Sequence, residues 1–232
     1  MKKIVFAIMA LALLTSCKYD ITKTVTVHSD NVEENRQLKN FERIVLMGSI
    51  DIKYAQADSF SVKVSAPESI VKKVETTVEK NELKVRMRDG GRILRIGGID
   101  SGNVTVYVTS PDFLGINLMG SGDFMCVTPL DTDTLTIGLR GSGNIYFKDV
   151  ICDRVNVSLI GSGDVSVNRV RTQQALLDLI GSGDIEMNFD NSGVVDAQVK
   201  GSGDITLKGT VRKMNNQVRG SGDIDTDELM VK

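Results

Sequence analysis

The sequence predicts an all-β protein: a single-stranded parallel β-helix in which one strand–corner–strand unit is stacked on the next. Three observations predict it. From Phe41 onward "RIVLMGSIDIKY", "FSVKVSA", "ELKVRMR" and "NVTVYVTS" each place apolar residues at every second position, the mark of half-buried strands. In the second half a Gly-Ser-Gly triplet recurs six times, its first glycine at 120, 141, 161, 181, 201 and 220, at intervals of 21, 20, 20, 20 and 19 residues, and a fixed period of that size marks a stacked repeat. Finally, 22 glycines stand against 3 prolines, with no tryptophan and 5% aromatic residues, which describes many tight turns around an aliphatic core. Ring-stacking sugar sites are poorly supported by that composition.

The first element is a leader. Residues 1–16 carry two lysines and then an apolar run of about a dozen residues, which is secretory signal grammar and too short for a membrane-spanning helix, which needs ~20. Leu14-Thr15-Ser16-Cys17 reads as a lipobox, so Cys17 is the expected lipidation site and first residue of the mature chain. Acyl chains at ~0.8 kcal/mol per buried methylene would then hold the protein on a membrane. Loss of the leader removes Lys2 and Lys3 and leaves 26 basic against 30 acidic residues, a net charge of −4. Such a surface lacks the basic face of a nucleic-acid binder and gains nothing from anionic lipid, so the anchor alone would provide membrane attachment.

Residues 17–40 read as the lipidated cysteine and a polar tether, with one alternating patch over Thr22 to His28 that could close in a strand. The stretch 41–232 reads as the β-helix: wider coils over 41–110, one helical turn somewhere in 67–80, repeat coils over 111–225, and a cap over 226–232. Within the repeats, aliphatic residues fall two, four and six positions before the corner, as at Leu159, Val157 and Val155, and two and four after it, as at Val165 and Val167. A unit this small cannot bury its own apolar row, but stacking on its neighbours does so. Equivalent residues then lie ~4.8 Å apart. The corner glycines, Gly120 and Gly122, Gly141 and Gly143, Gly161 and Gly163, Gly181 and Gly183, Gly201 and Gly203, Gly220 and Gly222, are expected to supply positive φ.

After each corner comes a polar residue: Asp123, Asn144, Asp164, Asp184, Asp204 and Asp223. Stacked, these form a ladder in which neighbouring like charges ~5 Å apart cost on the order of 1 kcal/mol in water. In the structural reading the carboxylates accept amide hydrogens of their own or an adjacent corner, with the serines assisting; neutral Asn144 fits this. A second reading is calcium coordination, but calcium solenoids place their acids every nine residues, and here one arrives per ~20. A third is catalysis, as in β-helix enzymes acting on acidic polysaccharides. Acid–base carboxylates need unlike environments to separate their pKa values, and a ladder of equivalents gives one. The only histidine, His28, lies in the tether, and no corner serine has a histidine beside it in the repeat, so a serine nucleophile would lack its base. No enzymatic activity, cofactor or metal is therefore expected. Cys126 and Cys152 fall on different sides of the coil and are expected as buried free thiols, since a bridge needs Cα atoms within ~7 Å.

Phe41-Glu42-Arg43-Ile44, "GSIDIKYAQAD" (48–58), "VTVYVTSPDFLGINLMGSGD" (104–123) with its Gly115-Ile116-Asn117, and the later "GSGD" corners resemble the head GIN domain of auto-transporter adhesins found in lipoproteins of Bacteroidota-type bacteria. The resemblance covers about residues 40–225. It implies a right-handed β-helix placed at the cell envelope, and brings no catalytic residues. Lys18, in place of the aspartate of inner-membrane retention, directs the expectation to the outer membrane.

The expected function is a lipid-anchored envelope module for adhesion or binding. Its partners are the membrane, through the anchor, and an envelope or host polysaccharide or protein; the outward row Arg140, Ile160, Ile180, Lys200 and Arg219 would suit an extended polymer. A polysaccharide-active enzyme and an envelope scaffold or sensor subunit are the alternatives. Asn216, at a position that is aliphatic in every earlier repeat, and the acidic "DIDTDELMVK" (223–232) read as a polar terminal cap over a strand edge that would otherwise invite aggregation.

Overall fold

The computed structural model describes residues 31–88 and 104–232. The leader, Cys17, the Thr22–His28 patch and His28 lie outside the described residues. In the repeat region each coil runs as an almost unbroken strand from one corner to the next: β9 (Phe124–Gly141), β10 (Asn144–Gly161), β11 (Asp164–Gly181), β12 (Ile185–Gly201) and β13 (Ile205–Gly220). Successive coils pair in parallel and in register, so that Gly141, Gly161, Gly181, Gly201 and Gly220 stand in one row. This is the predicted β-helix.

Each coil has three walls. The first leads into the glycine corner, the second leaves it, and the third closes the loop. Alternation explains the core. Leu118, Leu139, Leu159, Leu179 and Val199 point inward from the first wall with no exposure, and Phe124, Ile145, Val165, Ile185 and Ile205 do so from the second. The less regular third wall has its own inward row, Leu130, Val150, Val170 and Phe189, in register from coil to coil. Differences in coil length are absorbed where the second wall meets the third and along the third wall itself, at the register shifts between Phe147 and Asp149, Val167 and Val170, Val170 and Gln174, and Phe189 and Ser192. The corner side therefore stays uniform.

The N-terminal half departs from the expected wider coils. β2 (Arg43–Gly48) and β8 (Gly115–Gly120) stack on the first wall, and β3 (Asp51–Gln56) and β7 (Thr105–Ser110) on the second, all in parallel. Beyond them, β4 (Ser61–Pro67) runs antiparallel to β7, and β1 (Asn31–Arg36) antiparallel to β4. On the first wall the hairpin of β5 (Val74–Glu79) and β6 (Glu82–Met87) adds β6 to β2 and leaves β5 outermost. Lys80 and Asn81, both at positive φ, make its turn. The chain thus doubles back rather than coiling, a difference to which an alternation pattern is blind, since strands alternate whichever way they run. The stretch read as tether ends in β1, and the helical turn is α1 (Glu68–Val71), after which residues 74–79 are strand. The outermost strands β1 and β5 carry Glu33, Glu34, Glu75 and Glu79, charge that protects a sheet edge.

Where the third wall has not yet begun, side chains substitute for it. Gln56 donates through Nε2 to the carbonyls of Pro111 (2.8 Å) and Asp131 (3.0 Å) and accepts the Asp131 amide at 2.9 Å. Behind it Tyr54, Phe113, Phe124 and Phe147 stack through the core. Burial pushes the Tyr54 hydroxyl up to about 12.

At the C-terminal end, β14 (Ile224–Asp225) and β15 (Leu229–Val231) pair with β13 on the second and third walls. The acidic tail is thus a partial further coil. On the first wall, residues 213–220 form the last strand and Asn216 is exposed, which explains why that position escapes the aliphatic rule.

Candidate functional site

The corner is the most regular chemistry in the molecule. The carbonyls of Gly120, Gly141, Gly161, Gly181 and Gly201 each accept two amides of the next coil, as Gly161 does from Ser182 (2.9 Å) and Gly183 (3.2 Å). The first glycines, Gly120, Gly141, Gly161, Gly181, Gly201 and Gly220, have φ between 136° and 143°, as the sequence reading expects. The second glycines, Gly122, Gly143, Gly163, Gly183, Gly203 and Gly222, have no positive φ and are needed for a reason that the first glycines share. A Cβ there would stand well inside 3.0 Å of a carbonyl oxygen of the coil beneath, so coils can pack at strand spacing only without side chains.

The polar residue after each corner joins its neighbour through the backbone. The Oδ1 atoms of Asp164, Asp184 and Asp204 accept the amides of Asp184 (3.1 Å), Asp204 (3.0 Å) and Asp223 (2.8 Å). Asp123 accepts both the backbone and side-chain amides of Asn144 at 2.9 Å. At Asn144 the pattern breaks, and the Asp164 amide bonds the Gly143 carbonyl at 3.2 Å instead. The corner serines, expected to assist, make no side-chain hydrogen bond among the described residues. The carboxylates are therefore held by adjacent-coil amides, which offsets their mutual repulsion.

Sequence reasoning missed the first rung. Asp51 follows "GSI" rather than "GSG", yet its Oδ1 accepts the Asp123 amide at 3.0 Å. Its signal was the pattern Gly-Ser-x-Asp at 48–51. Ile50 replaces glycine there, and its buried side chain joins the core. Partial burial raises the Asp51 carboxyl above its ordinary 3.8, against the lowering effect of the Asp123 amide.

The thiols of Cys126 and Cys152 are free and buried. Burial pushes both above the ordinary thiol value. Cys126 lies level with Phe147 on the second wall and Cys152 with Thr132 on the third. Among the described residues no group of acids, cysteines or histidines has the arrangement of a metal site, and no helix is long and apolar enough to cross a membrane.

The walls offer surfaces rather than clefts. On the first wall, Met119, Arg140, Ile160, Ile180, Lys200 and Arg219 form one in-register outward row. Beside it, Gly138 leaves a shallow groove of about 250 Å³ bordered by Arg43, Glu82, Asn117, Arg140 and Ser158. It carries both signs of charge and a ladder of amide and hydroxyl groups, so it can hydrogen-bond a polar chain, and no nucleophile–base pair lines it.

The family model for "Putative auto-transporter adhesin, head GIN domain" matches residues 40–186 and 156–232. Solved structures share the fold. A "putative adhesin" from Bacteroides fragilis has a TM-score of 0.69 at 23% identity, covering 84% of this chain and 96% of its own. A "putative lipid binding protein" from Parabacteroides distasonis has a TM-score of 0.67 at 19% identity, with 85% and 97% covered. A "putative adhesin" from Parabacteroides merdae has a TM-score of 0.65 at 18% identity, with 85% and 96% covered. No curated protein matches the chain.

Proposed function

Because the chain belongs to the family described as "Putative auto-transporter adhesin, head GIN domain", we propose that it is a lipid-anchored module of the cell envelope that binds an extended polymer without transforming it. The first wall carries this reading. Its outward row repeats Met119, Arg140, Ile160, Ile180, Lys200 and Arg219 at strand pitch, ~4.8 Å per step. A rigid, evenly spaced row matches a ligand with its own repeat, a glycan or an extended peptide, and the groove at Gly138 is where the backbone itself can be approached. The lipobox ending in Cys17 supplies the anchor and Lys18 the outer-membrane address. Binding without turnover is supported by the corner, where Asp164, Asp184 and Asp204 each accept one amide of the next coil and so have like settings rather than the divided ones that acid–base chemistry needs.

The test is binding of the Cys17→Ser chain to arrayed glycans and matrix proteins, beside incubation with polyuronides. Retention that falls at least tenfold in Gly138→Arg and Arg140→Glu supports the reading. Release of oligosaccharide products would replace it with an enzyme. Retention indifferent to both changes would move the site off this wall.

A further inference from the structure

The shallow groove on the first wall contains a glycine that the fold does not require. Where β9 has Gly138, the following coils carry Ser158, Asp178, Gln198 and Gln217. The φ of Gly138 is not positive, and a Cβ added there would first meet a side-chain atom, Asn117 Oδ1, at 3.3 Å; the Ile116 carbonyl oxygen is at an ordinary 3.8 Å. Every other described glycine either has positive φ or would drive a Cβ within 3.0 Å of a backbone atom. A glycine inside a strand weakens it and marks close approach by a backbone or a ligand. No backbone presses on Gly138, which leaves a ligand. The groove also holds unanswered charge. Arg43 and Arg140 border it, both exposed, and neither makes an ion pair or a side-chain hydrogen bond among the described residues. Lys84, Arg86 and Lys200 on the same wall each face a carboxylate: Glu79 at 2.6 Å, Glu75 at 2.9 Å and Asp178 at 3.8 Å. Glu82, the one acid at the rim, pairs with neither arginine, so the lining residues carry two positive charges against one negative.

On the premise that the first wall binds a polymer, we propose that this groove is the subsite for the anionic group of an acidic glycan, a sugar carboxylate or sulfate held between Arg43 and Arg140. Arg43 on β2 is level with Gly115 and Thr136, and Arg140 on β9 is level with Met119. Two strands at ~4.8 Å and four residues at ~3.3 Å put their Cα atoms about 16 Å apart on a diagonal, with Asn117 and Gly138 at its centre. The two side chains reach in from opposite corners, and an oxyanion lying over Gly138 is gripped from both sides by forked N–H donors. Asn117, Thr136 and Ser158 make no side-chain hydrogen bond among the described residues, which leaves amide and hydroxyl partners for the hydroxyls of the sugar ring. At about 250 Å³ the groove falls below the ~300 Å³ at which pockets for whole drug-sized ligands begin, which suits one unit of a chain that continues along the wall. Charge takes the place of the aromatic platform that the outward rows of this wall lack. An acidic peptide fits less well, because an extended peptide satisfies its amides at a sheet edge and a sheet face offers it side chains alone.

Retention of the Cys17→Ser chain is measured on immobilised polygalacturonate, the same polymer fully methyl-esterified, dextran sulfate and polyglutamate. The acidic glycans should be retained, and the ester, which keeps the sugar and loses the charge, should not. Retention on polygalacturonate alone names the carboxylate, on dextran sulfate alone the sulfate, and on both a general oxyanion subsite. Arg43→Gln and Arg140→Gln should each weaken retention about tenfold or more, the loss of one charge-assisted contact, whereas Glu82→Gln should strengthen it. Gly138→Ser, which installs the residue of the next coil, should weaken retention while the melting temperature stays at or above the parent's, a combination that damage to the fold does not give. Equal retention of ester and free acid, still lost in Gly138→Arg, would overturn the proposal and leave the first-wall binding role standing. Polyglutamate held as tightly as polygalacturonate would show that charge alone is read, and the glycan would fall. Acidic glycans retained equally by the parent, Arg43→Gln, Arg140→Gln and Gly138→Ser would remove both the subsite and the first-wall role, and retention on none of the four polymers would sink the acidic-glycan assignment.

Discussion

The carboxylate of Asp184 accepts the backbone amide of Asp204 at 3.0 Å, and the Asp204 carbonyl accepts the amide of Ile185 at 3.0 Å. One side chain thus stands in for a rung of the ladder at the point where the chain turns and strand pairing would lapse. The acidic column is therefore part of the solenoid's hydrogen bonding, through an acceptor oxygen placed to reach the next coil.

Replacing Asp184 by alanine should cost about 1 kcal/mol, because the Asp204 amide loses its acceptor while the repulsion from neighbouring carboxylates, of similar size, is relieved. Asp184→Asn keeps an acceptor and should stay within about 0.5 kcal/mol of the parent in urea unfolding. An alanine variant as stable as the asparagine one would show that the side-chain bond contributes nothing.

The two glycine roles separate in mutants. Gly48 has φ +102° and open space around an added Cβ, so Gly48→Ala should cost only backbone strain, about 1–3 kcal/mol. Gly183→Ala would drive a methyl into the Gly163 carbonyl and should cost more than about 4 kcal/mol, the range of exceptional substitutions. Comparison of their urea midpoints decides it, and the reverse order would remove close coil approach as the reason for the second glycine.

Asp51 should impart an unusual pH dependence. Its folded carboxyl is raised above 3.8, chiefly by burial, so the folded state holds that proton more tightly than the unfolded one. Its contribution to stability is then fully present below 3.8, declines as pH climbs through the raised folded value, and stays lower above it. Asp51→Asn should flatten this part of the melting-temperature profile without loss of stability at neutral pH. A variant profile parallel to the parent's would contradict the assignment.

Neither Cys126 nor Cys152 should react with iodoacetamide in the native protein, since burial both shields the sulfur and disfavours the thiolate. Both should label after denaturation without reductant. Mass spectrometry showing no labelling in the denatured, unreduced chain would reveal a disulfide.

How much of this was legible in the sequence depends on how local each cause is. The 20-residue period fixed the coil, the inward rows and the corner, because a stacked repeat must present the same residue type at the same place in every turn; Leu159 and Leu179 had no alternative environment. Cys126 and Cys152 could be assigned to different walls for the same reason. Other features required the third dimension. Whether β4 runs with or against β7 depends on how the chain returns, and alternation is identical in both cases. The second glycine's role depends on a carbonyl that is distant in sequence and one coil below in space. Asp51 became a rung only when β3 docked beside β9, placing its carboxylate against an amide 72 residues away.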